Sequence, residues 1–111
     1  MKQIKYYKTK TGKCPYIEWV ETLRFEYQLK ILKRVNRMRE GLYGDCKRLT
    51  GSKLSELRFQ VGPGYRVYFK ELDNVIILVL AGSDKANQNA TIKKADKYLQ
   101  EYLERNNNEK L

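Results

Sequence analysis

Seven consecutive apolar residues, Val75-Ile76-Ile77-Leu78-Val79-Leu80-Ala81, constrain this chain more than any other feature. The run is far too short to cross a bilayer as a helix, and its β-branched content favours extended backbone. A strand apolar at every position is one buried on both faces, so the run reads as the centre of a sheet. Just before it, Ser55 to Lys70 reads as two strands around a Gly62-Pro63-Gly64 turn. Alternation puts Leu57, Phe59 and Val61 on one face and Glu56, Arg58 and Gln60 on the other. Beyond the turn, Tyr65, Val67 and Phe69 share a face, and Arg66, Tyr68 and Lys70 share the opposite one. With the polar faces on the same side of the sheet, two arginines and a tyrosine line one concave surface. Guanidinium groups grip phosphate bidentately, and an aromatic ring offers a base something to stack on. The stretch points to a small protein that handles RNA.

Charge agrees with that reading. The 111 residues carry 23 Lys and Arg against 13 Asp and Glu, a formal charge of +10, a field that favours polyanions. The length suits one domain over 1–111 with a single modest core. Histidine is absent, so Cys/His zinc sites and Ser-His or Cys-His nucleophiles are excluded; Cys14 and Cys46 read as ordinary free thiols. No cofactor is expected. The opening Lys2-Gln3-Ile4-Lys5-Tyr6-Tyr7 lacks the apolar segment of a signal peptide, and the cytoplasm is the expected location.

Elsewhere the chain offers clear punctuation. Gln3 to Lys8 reads as a first strand. Pro15 suits a first helical turn, and Tyr16, Ile17, Trp19, Val20 and Leu23 give a short helix its apolar stripe. A second helix over Glu26 to Arg39 packs Tyr27, Ile31, Val35 and Met38, with Leu32 beside them, and Gly41 stops it. Its outer side carries Lys30, Lys33, Arg34, Arg37 and Arg39. Leu42 to Lys53 reads as a connecting loop. A last helix over Asn89 to Arg105 packs Ile92, Ala95, Leu99 and Leu103, followed by a frayed tail from Asn106 to Leu111. The expected fold is α+β in the order β-α-α-β-β-β-α, with helices on one side of the sheet and the other side free for a ligand.

Several local words, taken in order, carry a family likeness. They are Tyr16-Ile17-Glu18-Trp19-Val20-Glu21-Thr22-Leu23, Ile31 to Met38, Gly41 to Asp45, Glu56-Leu57-Arg58 and Gly62-Pro63-Gly64-Tyr65-Arg66-Val67-Tyr68. Leu80-Ala81-Gly82-Ser83-Asp84-Lys85-Ala86-Asn87-Gln88 and Ile92-Lys93-Lys94-Ala95 complete them. Together they resemble the RelE/ParE toxin superfamily, and within it the HigB-like, phage-derived Gp49-like killer proteins. The resemblance implies a RelE-like fold and a type II toxin, neutralised by a cognate antitoxin, expected to be a helix-turn-helix protein. It further implies a ribosome-dependent endoribonuclease that cuts mRNA and inhibits translation without a metal. A non-cleaving toxin of the same fold, a gyrase inhibitor or an RNA-binding module, is the alternative.

The resemblance also nominates residues. In the family pattern the Gly-Tyr-Arg arginine, here Arg66, faces RNA and could neutralise the scissile phosphate; its structural alternative is an ion pair with Glu56. Arg58 could hold a neighbouring phosphate or partner Glu56. The pattern often has lysines just before this arginine, where this chain has Leu54 and Glu56, so the general base stays unassigned. Lys85 could stabilise the leaving oxygen or act as a base, and Gln88 could bind a base edge or the 2′-hydroxyl; both could instead be cap-region residues behind Asp84 or Asn87. Tyr68 is the expected aromatic platform or proton relay. Lys47, Lys53 and Arg37 stand for the basic surface that would contact RNA, and Trp19 reads as a core anchor.

Overall fold

The computed structural model describes residues 1–109. The chain runs β1 (Gln3–Tyr6), α1 (Pro15–Val20), α2 (Phe25–Arg37), a 3₁₀ turn (Met38–Glu40), β2 (Cys46–Arg48), β3 (Ser55–Arg58), β4 (Arg66–Leu72), β5 (Ile76–Ser83) and α3 (Gln88–Glu109). The strands form one mixed sheet in the order β1-β5-β4-β3-β2. β1 lies parallel to β5 and every other pair is antiparallel. The apolar run falls almost wholly in β5, which has a neighbour on either side, as its composition requires.

The α+β class stands, and three details differ from expectation. First, the sheet has five strands, because Cys46–Arg48, inside the expected loop, pairs with β3. Three residues, two of them charged, form a short edge strand held by backbone hydrogen bonds; such an edge carries almost no hydrophobic signature. Second, both faces of the sheet are covered. On one, Ile4, Leu57, Phe59, Val67, Phe69, Ile77 and Val79 meet Tyr16 and Val20 of α1 and Ile31 and Val35 of α2. On the other, Leu54, Tyr68, Leu78, Leu80 and Ala81 meet Ala95 and Leu99 of α3. The alternating apolar residues of β5 demand a cover on each side, and α3 supplies the second. Third, α3 runs on through Asn106 to Glu109, where a frayed tail was expected; Lys110 and Leu111 of that tail lie outside the described residues.

Local signals account for the helix boundaries. Pro15 opens α1. Gly41, at φ +78°, closes the 3₁₀ turn after α2 with its N–H on the Met38 carbonyl. At the head of α3, Asp84 Oδ1 accepts the backbone N–H of Asn87 at 2.9 Å.

One irregularity matters for the site. Tyr68 of β4 pairs with Ala81 of β5, but the next residue, Phe69, pairs with Val79, leaving Leu80 as an extra residue. Leu80 and Ala81 consequently both face α3. The bulge shifts the phase of the strand end, so Gly82 turns toward α1 and Ser83 toward the α3 side. Gly82 lies so close under the Trp19 indole that a Cβ would overlap the ring, 2.7 Å from Cδ2. Trp19 is a core anchor: it also meets Tyr16 and, edge on, Tyr65.

Candidate functional site

The register aligns Arg58, Arg66 and Ser83 across three strands, with Glu56, Tyr68 and Ala81 aligned as the next row on the same face. α3 starts at Gln88 and covers this face only from that point on. The first row therefore sits where the sheet emerges from beneath the helix.

Arg66 is largely enclosed, its side chain 13% exposed, with Nε 3.9 Å from Glu56 Oε1. Nη1 donates to the Tyr65 carbonyl at 3.3 Å, while Nε, though buried, has no hydrogen-bond partner. Glu56 is 3% exposed, and its Oε2 accepts from Gln88 Nε2 at 3.0 Å. A buried carboxylate needs compensation, and here one guanidinium and one amide provide it. Lys85 is exposed at the surface. Arg66 and Lys85 meet around Gly64: from the point where a Cβ would stand on that glycine, Arg66 Nη1 is 3.8 Å away and Lys85 Cβ 3.4 Å. The Pro63 carbonyl, accepting from the Lys85 N–H at 3.4 Å, joins the two loops. The structure thus gathers Arg66, Lys85, Gln88 and Glu56 at one sheet end.

The other nominated residues are placed differently. Arg58 lies beside Arg66 in register but is held by Asp45, with Nη2 at 2.8 Å and Nε at 3.1 Å from Oδ1. Its structural partner is Asp45 rather than Glu56. Gln60 donates to the second carboxylate oxygen at 3.3 Å. The hydrogen bond from Arg58 is the main reason the Asp45 carboxyl is held below its ordinary value. Arg34, expected on the solvent side of α2, instead donates to the carbonyls of Arg58, Tyr43 and Asp45 and stacks on Phe59, so it tethers α2 to the loop beside Arg58.

Tyr68 is fully buried beneath α3, which rules out an exposed stacking platform in this structure. Its hydroxyl lies 3.0 Å from Ser83 Oγ, and Ser83 donates its one proton to the Asp84 carbonyl at 2.9 Å, so Tyr68 is the donor of the pair. Burial pushes its pKa up to about 12. Lys47 stands exposed on the edge strand, in register with Glu56. Lys53 lies outside the cluster, lining a groove of about 580 Å³ with Asp96, Leu99, Gln100 and Leu103. At 1.5 Å per residue, Gln100 is about 18 Å along the helix from Gln88. Arg37 belongs to α2, which packs on the opposite face of the sheet.

Glu56 is the residue that sequence reasoning placed only as an ion-pair partner. The available signal was its phase: a lone acid in the same alternating row as Arg58 and Gln60. Asp45 gave none, because its position beside Arg58 depends on β2. Both cysteines are free and half-buried, and burial pushes the Cys46 thiol up. Among the described residues, no three His, Cys, Asp or Glu side chains gather so as to hold a metal ion, and no helix is long and apolar enough to cross a membrane.

No protein-family model matches the chain. It is similar to an uncharacterized protein of Haemophilus influenzae (strain ATCC 51907 / DSM 11121 / KW20 / Rd), with 37% identity over 84 residues. That alignment covers 75% of this chain and 84% of the Haemophilus protein.

Proposed function

This chain belongs to one family with the uncharacterized Haemophilus influenzae protein, and we propose that it is an endoribonuclease toxin of a type II toxin-antitoxin module, cutting mRNA on the ribosome. The observation that carries the reading is the cluster at the sheet end: Arg66 and Lys85 together beside Gly64, with the enclosed carboxylate of Glu56 behind Arg66. A formal charge of +10 supports a polyanionic substrate, and the resemblance to HigB-like proteins narrows it to message in the ribosome.

In this reaction the 2′-hydroxyl of the message attacks the adjacent phosphorus. The 2′-oxygen bonds to phosphorus as the bond to the 5′-oxygen breaks. The 2′ proton passes to the Glu56 carboxylate, which Arg66 uncovers as it turns to the phosphate, and the 5′-oxygen takes a proton from the Lys85 ammonium. The products are a 2′,3′-cyclic phosphate and a 5′-hydroxyl end. Arg66 neutralises the charge that builds on the phosphate oxygens, exchanging its 3.9 Å ion pair with Glu56 for the phosphate. Gln88 orients the nucleotide together with the Glu56 carboxylate it already contacts. Arg58 takes a neighbouring phosphate in exchange for Asp45. The partners are the ribosome, its message and a helix-turn-helix antitoxin; the location is the cytoplasm.

Toe-printing of translated message with the purified protein tests this, with Arg66→Ala as control. Codon-positioned cuts that disappear in the variant are expected, and intact message at every codon refutes the proposal. A second reading draws on the Arg58–Asp45 pair, which leaves fewer free cations at the site than cleavage would favour. In that reading the same fold inhibits gyrase without cutting RNA. Inhibition of supercoiling by purified protein, with message left uncut, would favour it.

A further inference from the structure

Phe25, Leu29 and Leu32 follow one another at i, i+4 and i+7 along α2 and are 71%, 51% and 40% exposed. At 3.6 residues per turn they share an arc of about 60°. None of them belongs to the core cluster beneath the helix, which takes Ile31 and Val35 from a different side. Isolated exposed apolar side chains are ordinary on a protein surface, whereas a continuous row along a helix marks a face that something covers.

Charge identifies what covers it. Lys30, Lys33 and Arg37 form a second row roughly 100° further round the helix, all three exposed. Among the described residues none of the three has an ion-pair partner. Glu26 falls in the same row but is engaged by Arg24 at 2.7 Å. An apolar row beside a cationic row is the complement of a helix that carries leucine-like side chains flanked by carboxylates. Nucleic acid would satisfy the cations and leave the three apolar side chains in water. A second copy of this chain would bring cationic rows and two net charges of +10 together.

We infer that the outer face of α2 is a docking surface for an acidic amphipathic helix of another protein. The inference does not draw on the cleavage chemistry, since α2 packs on the sheet face opposite Glu56 and Tyr68.

The test uses the full chain and a fluorescent peptide of about 20 residues, long enough to span α2. The peptide carries leucines at i, i+4 and i+7 and a row of glutamates; a second peptide has lysines in place of the glutamates. Fluorescence anisotropy should show binding of the acidic peptide and not of the lysine one. Leu29→Asp should weaken that binding by at least about tenfold. The double variant Lys33→Glu/Arg37→Glu, which alters only exposed side chains, should reverse the preference toward the lysine peptide. Circular dichroism and a urea midpoint matching the parent chain would establish that each variant is folded. Three results would each overturn the inference: no binding of the acidic peptide, binding unaffected by Leu29→Asp in a folded variant, or a dimer of the free chain that Leu29→Asp dissociates. Binding of single-stranded RNA weakened by Leu29→Asp would likewise assign the face to nucleic acid.

Discussion

Replacing Gly82 by alanine puts a methyl group into space already filled by Trp19. The added carbon would overlap the ring at Cε3 and Cζ3 and lie 2.7 Å from Cδ2, whereas carbon atoms rest about 3.5–4.0 Å apart. Relief requires the indole to move by more than an ångström, yet Trp19 is wedged against Tyr16 and Tyr65, with ring centroids at 6.3 and 5.9 Å. Gly82 is not among the glycines at positive φ, so alanine meets no backbone penalty there and the whole cost is steric. Overpacking of this kind costs about 1–3 kcal/mol, and an overlap this deep belongs at the upper end, about 3 kcal/mol. Urea unfolding should show that loss as a lower midpoint at an unchanged slope. In a Trp19→Leu background, where the ring is gone, Gly82→Ala should cost less than about 1 kcal/mol, so the cycle should report a coupling near 2 kcal/mol. A cost below about 0.5 kcal/mol in the parent, or equal costs in both backgrounds, would refute the claim that indole contact is what demands glycine at this position.

Other expected outcomes concern the site. Arg66→Ala should reduce message cleavage by at least about a hundredfold; because it strands the buried Glu56 carboxylate, it should also lower stability by about 3 kcal/mol. Glu56→Gln should suppress cleavage too, and it should also lower stability, because the enclosed Arg66 guanidinium loses its carboxylate. Asp45→Asn removes a carboxyl whose pKa lies below its ordinary value of 3.8 in the folded chain. The native Asp45 therefore adds stability above that pH, so melting curves of the two proteins should converge as the pH falls through the depressed value. Convergence at a higher pH would contradict the Arg58 pairing. Tyr68→Phe should cost about 1–2 kcal/mol through the lost bond to Ser83 and leave RNA affinity unchanged. Burial raises the Tyr7 and Tyr68 hydroxyls to about 12 against an ordinary 10.0. Their contribution to stability is full below pH 10 and fades toward 12, so ultraviolet titration should resolve a late-ionising class that merges with the early one on unfolding.

How much of this was readable in the chain follows from the range over which each feature acts. Pro15 at the start of α1, Gly41 after α2 and the central place of Val75–Ala81 depend on backbone geometry and burial within a few residues, so the amino-acid order alone determined them. Alternation likewise put Glu56, Arg58, Arg66 and Tyr68 on one face. What became of that face was decided by segments far away in the sequence. α3 returned across it and buried Tyr68; an extra residue at Leu80 turned Ser83 into the same row; a short polar edge strand carried Asp45 to Arg58. Each of these rests on contacts between segments more than ten residues apart, and no period or propensity within either segment encodes them. Local pattern sets which side chains share a surface, and only tertiary packing sets whether that surface meets water, a helix or an opposite charge.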